Sequence, residues 1–182
     1  MPVVINYKNS AVKKNLSNFV LFVDDKFNVL TLKNHISASE YAYISDLVKT
    51  KNLKKNLLVF DINSKRKIIL VSLKRNLTNT EAESLGAKFY DSFKESKLNK
   101  FVLNSDTIPI KLKNHIGYFL HGMRLKSYKF EKYKTKKNKI NIFINVVGKN
   151  TTSMKDQIKF NSIEEGTFYT RDLVSEPGNI LH

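Results

Sequence analysis

The chain has 182 residues, of which 41% are hydrophobic and 11% aromatic, and its formal charge is +16. This apolar content is enough for a buried core and excludes a wholly disordered chain, while the absence of cysteine excludes disulfides and thiolate metal sites. No segment reaches the roughly 20 apolar residues of a membrane span, and no secretory signal pattern is seen. We therefore expect a cytoplasmic protein without a membrane partner.

The first half of the chain alternates short apolar runs with one helical pattern. Ser37 and Glu40 have the spacing of a capping box, which predicts a helix to about Lys49. Asn63 to Arg66 have the composition of a hairpin turn. Four runs of strand length predict strands: Val3 to Tyr7, Asn18 to Val23, Leu57 to Ile62 and Lys67 to Leu73.

The second half has longer helical patterns. Thr78 and Glu81 form a second capping-box pattern, which predicts a helix to about Ser96. Pro177 and Gly178 suit the exit from a final helix. The other predicted elements are a strand at Lys100 to Leu103, a helix from Ile110 to about Leu125, a strand at Ile140 to Val147 and a long helix from about Thr151 to Val174.

Strands that alternate with covering helices predict a three-layer α/β sandwich around a mixed central sheet. Residues 1–150 are expected to form an amino-terminal α/β domain. Residues 151–182 are expected to form an interdomain helix and the truncated start of a second domain.

The sequence contains no recognisable catalytic, cofactor or metal motif. His115 and His121 fall on different faces of the predicted helix, and Asp24 and Asp25 are expected to form a solvated turn at a strand end. The glycines form no phosphate-binding loop, and there is no Gly-x-Ser-x-Gly elbow. We therefore assign no catalytic, cofactor-binding or metal-ligating residue to this chain.

Clustered positive charge leaves two interpretations open. The segment from Lys126 to Lys137 interleaves cations with aromatic residues, a pattern that can bind nucleic acid through charge and stacking. Alternatively, it is a helix end and loop whose aromatic rings pack inward under lysine stems. We prefer the second, because no ribonucleoprotein-type aromatic motif accompanies the pattern. For the chain as a whole, only four of the 32 basic residues are arginine, which favours lysines spread over the surface for solubility. The candidate nucleic-acid contacts are Lys126, Lys129, Lys132, Lys134, Lys136 and Lys137.

Two segments carry a resemblance to a known family. Residues 122–134, GMRLKSYKFEKYK, are similar to the Gly-hydrophobic-x-Leu-x-x-Tyr-x-Phe-(Asp/Glu)-x-Tyr-Lys stretch of leucyl aminopeptidases. Residues 165–181, with RDLVSEPGN at Arg171 to Asn179, closely resemble the family segment Arg-Asp-Leu-Val-Asn-x-Pro-x-Asn, which leads into the catalytic domain. Ser175 stands where Asn is usual, and Ser72 and Lys74 replace glycines of a family Gly-Leu-Gly stretch.

This resemblance implies a macro-domain-like first domain followed by an interdomain helix. The complete enzymes of the family are two-metal exopeptidases, typically with Mn or Zn, that release amino-terminal residues such as Leu from peptides. They form homo-hexamers, and some bacterial members bind DNA. The family's metal ligands lie beyond the segment that ends near Asn179, so the chain is expected to be scaffold and inactive alone. The alternative is a stand-alone basic nucleic-acid-binding module, and a weaker one is an ADP-ribose binder.

Overall fold

The computed structural model describes residues 2–8, 18–50, 55–135 and 141–178. Short 3-10 helices occur at Leu30–Asn34, Ser105–Thr107 and Ile110–Leu112. The strands are β1 (Val3–Lys8), β2 (Asn18–Asp24), β3 (Leu57–Asn63), β4 (Arg66–Leu73), β5 (Lys100–Asn104) and β6 (Ile142–Val147). The α-helices are α1 (Ala38–Thr50), α2 (Asn79–Phe93), α3 (His115–Lys126) and α4 (Met154–Ser175).

The described strands form one sheet in the order β1-β6-β5-β2-β4-β3. Every pair is parallel except β3 and β4, which form the predicted hairpin with Asn63 opposite Arg66. The first strand of the chain therefore lies beside the last, with Val3 opposite Ile142.

Apolar layers cover both faces of the sheet. On one face, α2 and α3 contribute Phe89, Phe119 and Met123, which pack against strand residues such as Phe22 and Phe101. On the other face, α1 and the first 3-10 helix pack against β2, β3 and β4. The predicted α/β sandwich with a mixed central sheet is confirmed.

Two glycines allow α2 and α3 to pack unusually close together. A Cβ atom at Gly86 would lie 1.9 Å from the Phe119 carbonyl oxygen, and one at Gly122 would lie 2.0 Å from the Glu83 carbonyl oxygen. Both contacts are with backbone atoms, which cannot move aside as a flexible side chain can. Gly122 is thus required by helix packing, which explains the glycine that opens residues 122–134.

Both predicted capping boxes are confirmed. At α1, Ser37 Oγ accepts a hydrogen bond from the Glu40 amide, and Glu40 Oε2 accepts one from the Ser37 amide. At α2, Thr78 and Glu81 make the same reciprocal pair. Lys74 also donates to Glu81, and with the Thr78 bonds it lowers the pKa of this carboxyl from 4.5 to about 2.

The predicted helix from Ile110 to Leu125 is wrong in its first turn. The Leu112 amide donates to the Pro109 carbonyl at 2.7 Å, a three-residue bond that makes this turn a 3-10 helix, and α3 begins only at His115. The helix predicted to reach Ser96 ends at Phe93, and the final helix starts at Met154, where Ser153 caps it. Ile140 lies outside the described residues.

Helix α4 differs from the other helices because little of it is buried. Its 22 residues span about 33 Å, and among them only Glu164 is buried. Its exposed large apolar side chains are Met154, Ile158, Ile163, Tyr169, Leu173 and Val174. Within the described residues, no helix has the length and apolar character needed to cross a bilayer.

Candidate functional site at the contact between the last two helices

A buried carboxylate links α4 to α3. Glu164 is 1% exposed, and its Oε1 lies 2.8 Å from His121 Nδ1. Its Oε2 accepts a hydrogen bond of 2.6 Å from Arg124 Nη1. His121 and Arg124 are three residues apart, so they project from neighbouring turns of α3 toward one point. One carboxylate thus holds two basic side chains of the neighbouring helix.

Aromatic packing completes this part of the contact. The Phe160 ring of α4 lies 5.0 Å from the rings of both Tyr118 and His121. Gly117 lies directly beneath it, and a Cβ atom there would come within 2.5 Å of the Phe160 ring. The absence of a side chain at Gly117 lets α4 lie close to α3 at this point.

A cleft of about 320 Å³ opens beside the buried carboxylate, where α4 passes over β1 and α3. Its walls include Ile5, Tyr7, Arg124, Gln157 and Phe160. Burial raises the pKa of Tyr7, and a hydrogen bond with Thr152 opposes this shift. Glu164 of the cleft already pairs with His121 and Arg124, so this carboxylate is held by contacts within the chain.

A second contact lies nearer the end of α4. The Tyr128 ring stacks on Phe168 at 5.5 Å, and its hydroxyl donates a 2.7 Å hydrogen bond to Asp172. Partial burial, together with that bond, raises the pKa of Tyr128. Arg171 lies over the same ring and donates to the Leu125 carbonyl at 2.8 Å.

A third contact joins the segment after α3 to the end of α4. Lys132 and Tyr133 both donate hydrogen bonds to Glu176. These bonds, led by that from Lys132, lower the pKa of Glu176, and the bond to Glu176 raises the pKa of each donor. The two segments that resemble the family are therefore bound to each other: residues 122–134 supply one side of the contact and residues 165–178 the other.

The candidate nucleic-acid lysines do not share one environment. Lys126 pairs with Asp91 at 3.3 Å, and Lys132 pairs with Glu176. Lys129 and Lys134 are exposed, while Lys136 and Lys137 lie outside the described residues. Two of the four described lysines thus have a carboxylate neighbour, and their role as nucleic-acid contacts stays a prediction.

Among the described residues, contacts between connections cross the region in which open α/β sheets commonly bind ligands. The chain leaves β2 toward the β4 and β3 side of the sheet and leaves β5 toward the β6 side. In open α/β sheets, ligands often bind at the carboxyl ends of two adjacent strands whose connections diverge in this way. Here Thr107 Oγ1 accepts a hydrogen bond from the Phe22 amide at 2.9 Å, which closes the space between these strands. The nearby turn at Gly148, with φ of +105°, lies against Ser105 and Asp106. Binding of ADP-ribose at this point stays a prediction.

The histidines and aspartates considered from sequence do not converge on a metal site. His115 lies near the Leu112 carbonyl, while His121 belongs to the Glu164 contact. Asp24 accepts the Lys26 and Asn28 amides, as a turn residue does. In the part of the chain that the structure describes, no group of three or more His, Asp or Glu residues could hold a metal ion. His182 lies outside it.

Sequence reasoning missed the pairing of Glu164 with His121 and Arg124. Glu164 stands in a polar helix next to another glutamate, and nothing local distinguishes the two. The pair spans 43 residues, so only the packing of α4 reveals it.

Comparison with known proteins shows that this chain is similar to aminopeptidases. The chain is 25% identical over 190 residues to a probable cytosol aminopeptidase of Rickettsia bellii, covering 91% of this chain and 36% of that protein. It is 25% identical over 170 residues to a probable cytosol aminopeptidase of Clostridium perfringens, covering 88% of this chain and 32% of that protein. No protein-family model matches the chain.

Solved structures agree with these relatives. A mutant of tomato leucine aminopeptidase superposes with a TM-score of 0.69 at 18% identity, over 98% of this chain and 39% of that one. The bottromycin maturation enzyme BotP superposes with a TM-score of 0.61 at 11% identity, over 91% of this chain and 34% of that one.

The fold is thus that of an α/β domain found in aminopeptidases. The resemblance to the amino-terminal domain of the leucyl aminopeptidase family is confirmed by the curated relatives and by the tomato structure. The chain spans about a third of the length of the curated relatives it matches.

Proposed function

We propose that this chain serves as the amino-terminal scaffold of a leucyl aminopeptidase, with residues 1–150 as the folded domain and residues 151–182 leading to a catalytic domain. The complete protein would act in the cytoplasm and release amino-terminal residues, preferably Leu, from peptides. It would assemble as a homo-hexamer. The chain itself supplies structure and no catalytic group.

The observation that carries this proposal is the contact between the two family-like segments. Tyr128 and Lys132 of residues 122–134 bind Asp172 and Glu176 of residues 165–178, and Arg124 binds Glu164, the residue just before the second segment. These hydrogen bonds fix the direction of α4 relative to α3 and the segment that follows it. A rigid helix of about 33 Å suits a spacer that sets the position of whatever follows it.

The metal requirement of the family is proposed for the complete protein and not for this chain. The described residues do not fit a two-metal centre, because they bring no three His, Asp or Glu side chains together. Two Mn or Zn ions would be held by residues outside this chain.

The test is an activity measurement on the purified chain. Leucine p-nitroanilide is supplied with Mn²⁺ or Zn²⁺, and the complete Clostridium perfringens relative serves as the positive control. We expect the relative to release p-nitroaniline and this chain to release none. Hydrolysis by this chain that a chelator abolishes would contradict the scaffold proposal.

A further inference from the structure

Two large apolar side chains stand exposed in neighbouring connections of the sheet. Leu30 follows β2 and is 63% exposed, and Ile110 follows β5 and is 72% exposed. Strands β2 and β5 are adjacent and parallel, so their carboxyl ends lie at the same edge of the sheet. Exposing a Leu or Ile side chain gives up the stabilisation that burial would provide, and the packing of the domain does not account for either.

Lysines surround these two positions. The connection after β2 contains Lys26, and the connection after β5 contains Lys111 and Lys113, all exposed. The same edge receives Lys149 after β6. Across the connections at residues 24–37, 74–78, 105–114 and 148–153 there are seven cations against three carboxylates, Asp24, Asp25 and Asp106, and one of these cations, Lys74, pairs with Glu81 at the start of α2.

Two of these carboxylates accept hydrogen bonds from backbone amides. Asp24 Oδ1 accepts the amides of Lys26 and Asn28 at 3.1 and 2.8 Å, and Asp106 Oδ1 accepts the amide of Lys149 at 2.6 Å. Asp24 binds the backbone of its own turn, whereas Asp106 binds the backbone of the connection after β6. Among the described residues, neither carboxylate forms an ion pair with Lys26, Lys111, Lys113 or Lys149. The charge of these four lysines is therefore available to a partner.

We propose that this edge docks on an anionic lipid surface. Leu30 and Ile110 would enter the interfacial layer, while Lys26, Lys111 and Lys113 would bind headgroup phosphates. A bilayer uses both features at once, because apolar tips gain from the acyl boundary and each nearby lysine gains from the negative surface potential. A nucleic acid would use the charges but would leave the two apolar side chains without a partner. From the sequence we expected no membrane partner, because no segment could span a bilayer. Surface docking departs from that expectation, since contact with a bilayer surface needs no spanning segment.

The first measurement is co-sedimentation of the chain with lipid vesicles. Vesicles of phosphatidylcholine with about 30% phosphatidylserine should bind the chain at about 0.1 M salt, and vesicles of phosphatidylcholine alone should bind at least about tenfold more weakly. Raising the salt to about 0.5 M should weaken the binding without abolishing it, because screening removes the charge contribution and leaves the apolar one.

Matched variants locate the surface. Replacing Leu30 and Ile110 with serine should weaken vesicle binding about tenfold while leaving the charge unchanged. The same change at Met154 and Val174, which are 72% and 82% exposed on α4, should have no effect. All variants must retain the thermal midpoint of the parent chain, since these side chains are exposed.

Two sets of lysine substitutions distinguish binding at this edge from attraction by the net charge of the chain. The first variant replaces Lys26, Lys111, Lys113 and Lys149 with glutamine, and the control replaces Lys97, Lys100, Lys129 and Lys134, which are exposed and lie away from this edge. The first should lose about tenfold or more in vesicle affinity, and the control much less.

Three outcomes would overturn the proposal. Equal losses in the two lysine variants would show that net charge alone drives binding. Tighter binding to a DNA duplex that ignores the Leu30 and Ile110 changes would indicate a nucleic-acid surface. Light scattering that shows self-association, lost in the serine variant, would assign the two apolar side chains to a contact between copies. None of these outcomes changes the expected lack of peptidase activity, which tests the scaffold proposal separately; self-association through this edge would bear only on the proposed assembly.

Discussion

The contact between α2 and α3 and the contact between α3 and α4 are built on opposite principles. The first uses apolar side chains and two glycines, and it buries residues such as Phe89 and Met123 in the main core. The second is centred on Glu164 and is otherwise largely exposed. Apolar burial attaches a helix without a strict direction, whereas charged hydrogen bonds require particular atoms to meet. The position of α4 therefore depends on a few groups.

The largest expected effect tests the polar contact. Glu164→Ala leaves His121 and Arg124 without their carboxylate and should lower the free energy of unfolding by about 3 kcal/mol, or release α4 at a similar cost. Urea denaturation and amide hydrogen exchange along α4 measure the two effects separately. Glu165→Ala, at the exposed neighbouring position, should change stability by less than about 0.5 kcal/mol. Equal effects would mean that α4 is held by something else.

The next effect tests the close contact between α2 and α3. Gly122→Ala would place a Cβ atom against the Glu83 carbonyl, so we expect a loss of about 2 to 3 kcal/mol in thermal or chemical unfolding. Gly166→Ala is the matched control, since a Cβ atom there has nothing within 4 Å. It should stabilise α4 by up to about 1 kcal/mol through helix propensity. If both changes had the same sign, the glycine contact would not control packing.

The smallest effect is expected at Glu81, whose side chain contacts solvent, whereas Glu164 is buried. The lowered pKa of Glu81 means that its contribution is fully present above its ordinary value of 4.5 and is lost as the pH falls through about 2. Thermal midpoints of the parent chain and of Glu81→Gln should therefore differ at pH 6 and converge as the pH falls toward 2. If the two thermal midpoints still differ at the lowest pH, the change in stability comes from the glutamine side chain and not from loss of the carboxylate charge.

The sequence predicted elements whose signal is local. Strand β2 and the hairpin of β3 and β4 follow from short apolar runs and turn residues, and the capping boxes follow from Ser37 with Glu40 and Thr78 with Glu81. These patterns need no knowledge of the tertiary structure, because the groups that satisfy them lie within four residues.

One failure has a local cause, and the others depend on how distant segments pack. The first turn of the helix predicted from Ile110 is tightened by Pro109, and this break was not visible in the apolar periodicity. The importance of Glu164 depends on α4 lying against α3, which no spacing encodes. The exposed positions of Leu30 and Ile110 could not be foreseen either, because in sequence they look like core residues.

The neighbouring positions of β1 and β6 have a consequence for synthesis of the chain. Asn6 and Asn145 face each other across these strands, although 139 residues separate them. During synthesis, β1 must therefore wait until β6, its partner in the sheet, has been made. Until then the inner strands can assemble around β2, β4 and β5, and β1 completes the sheet last.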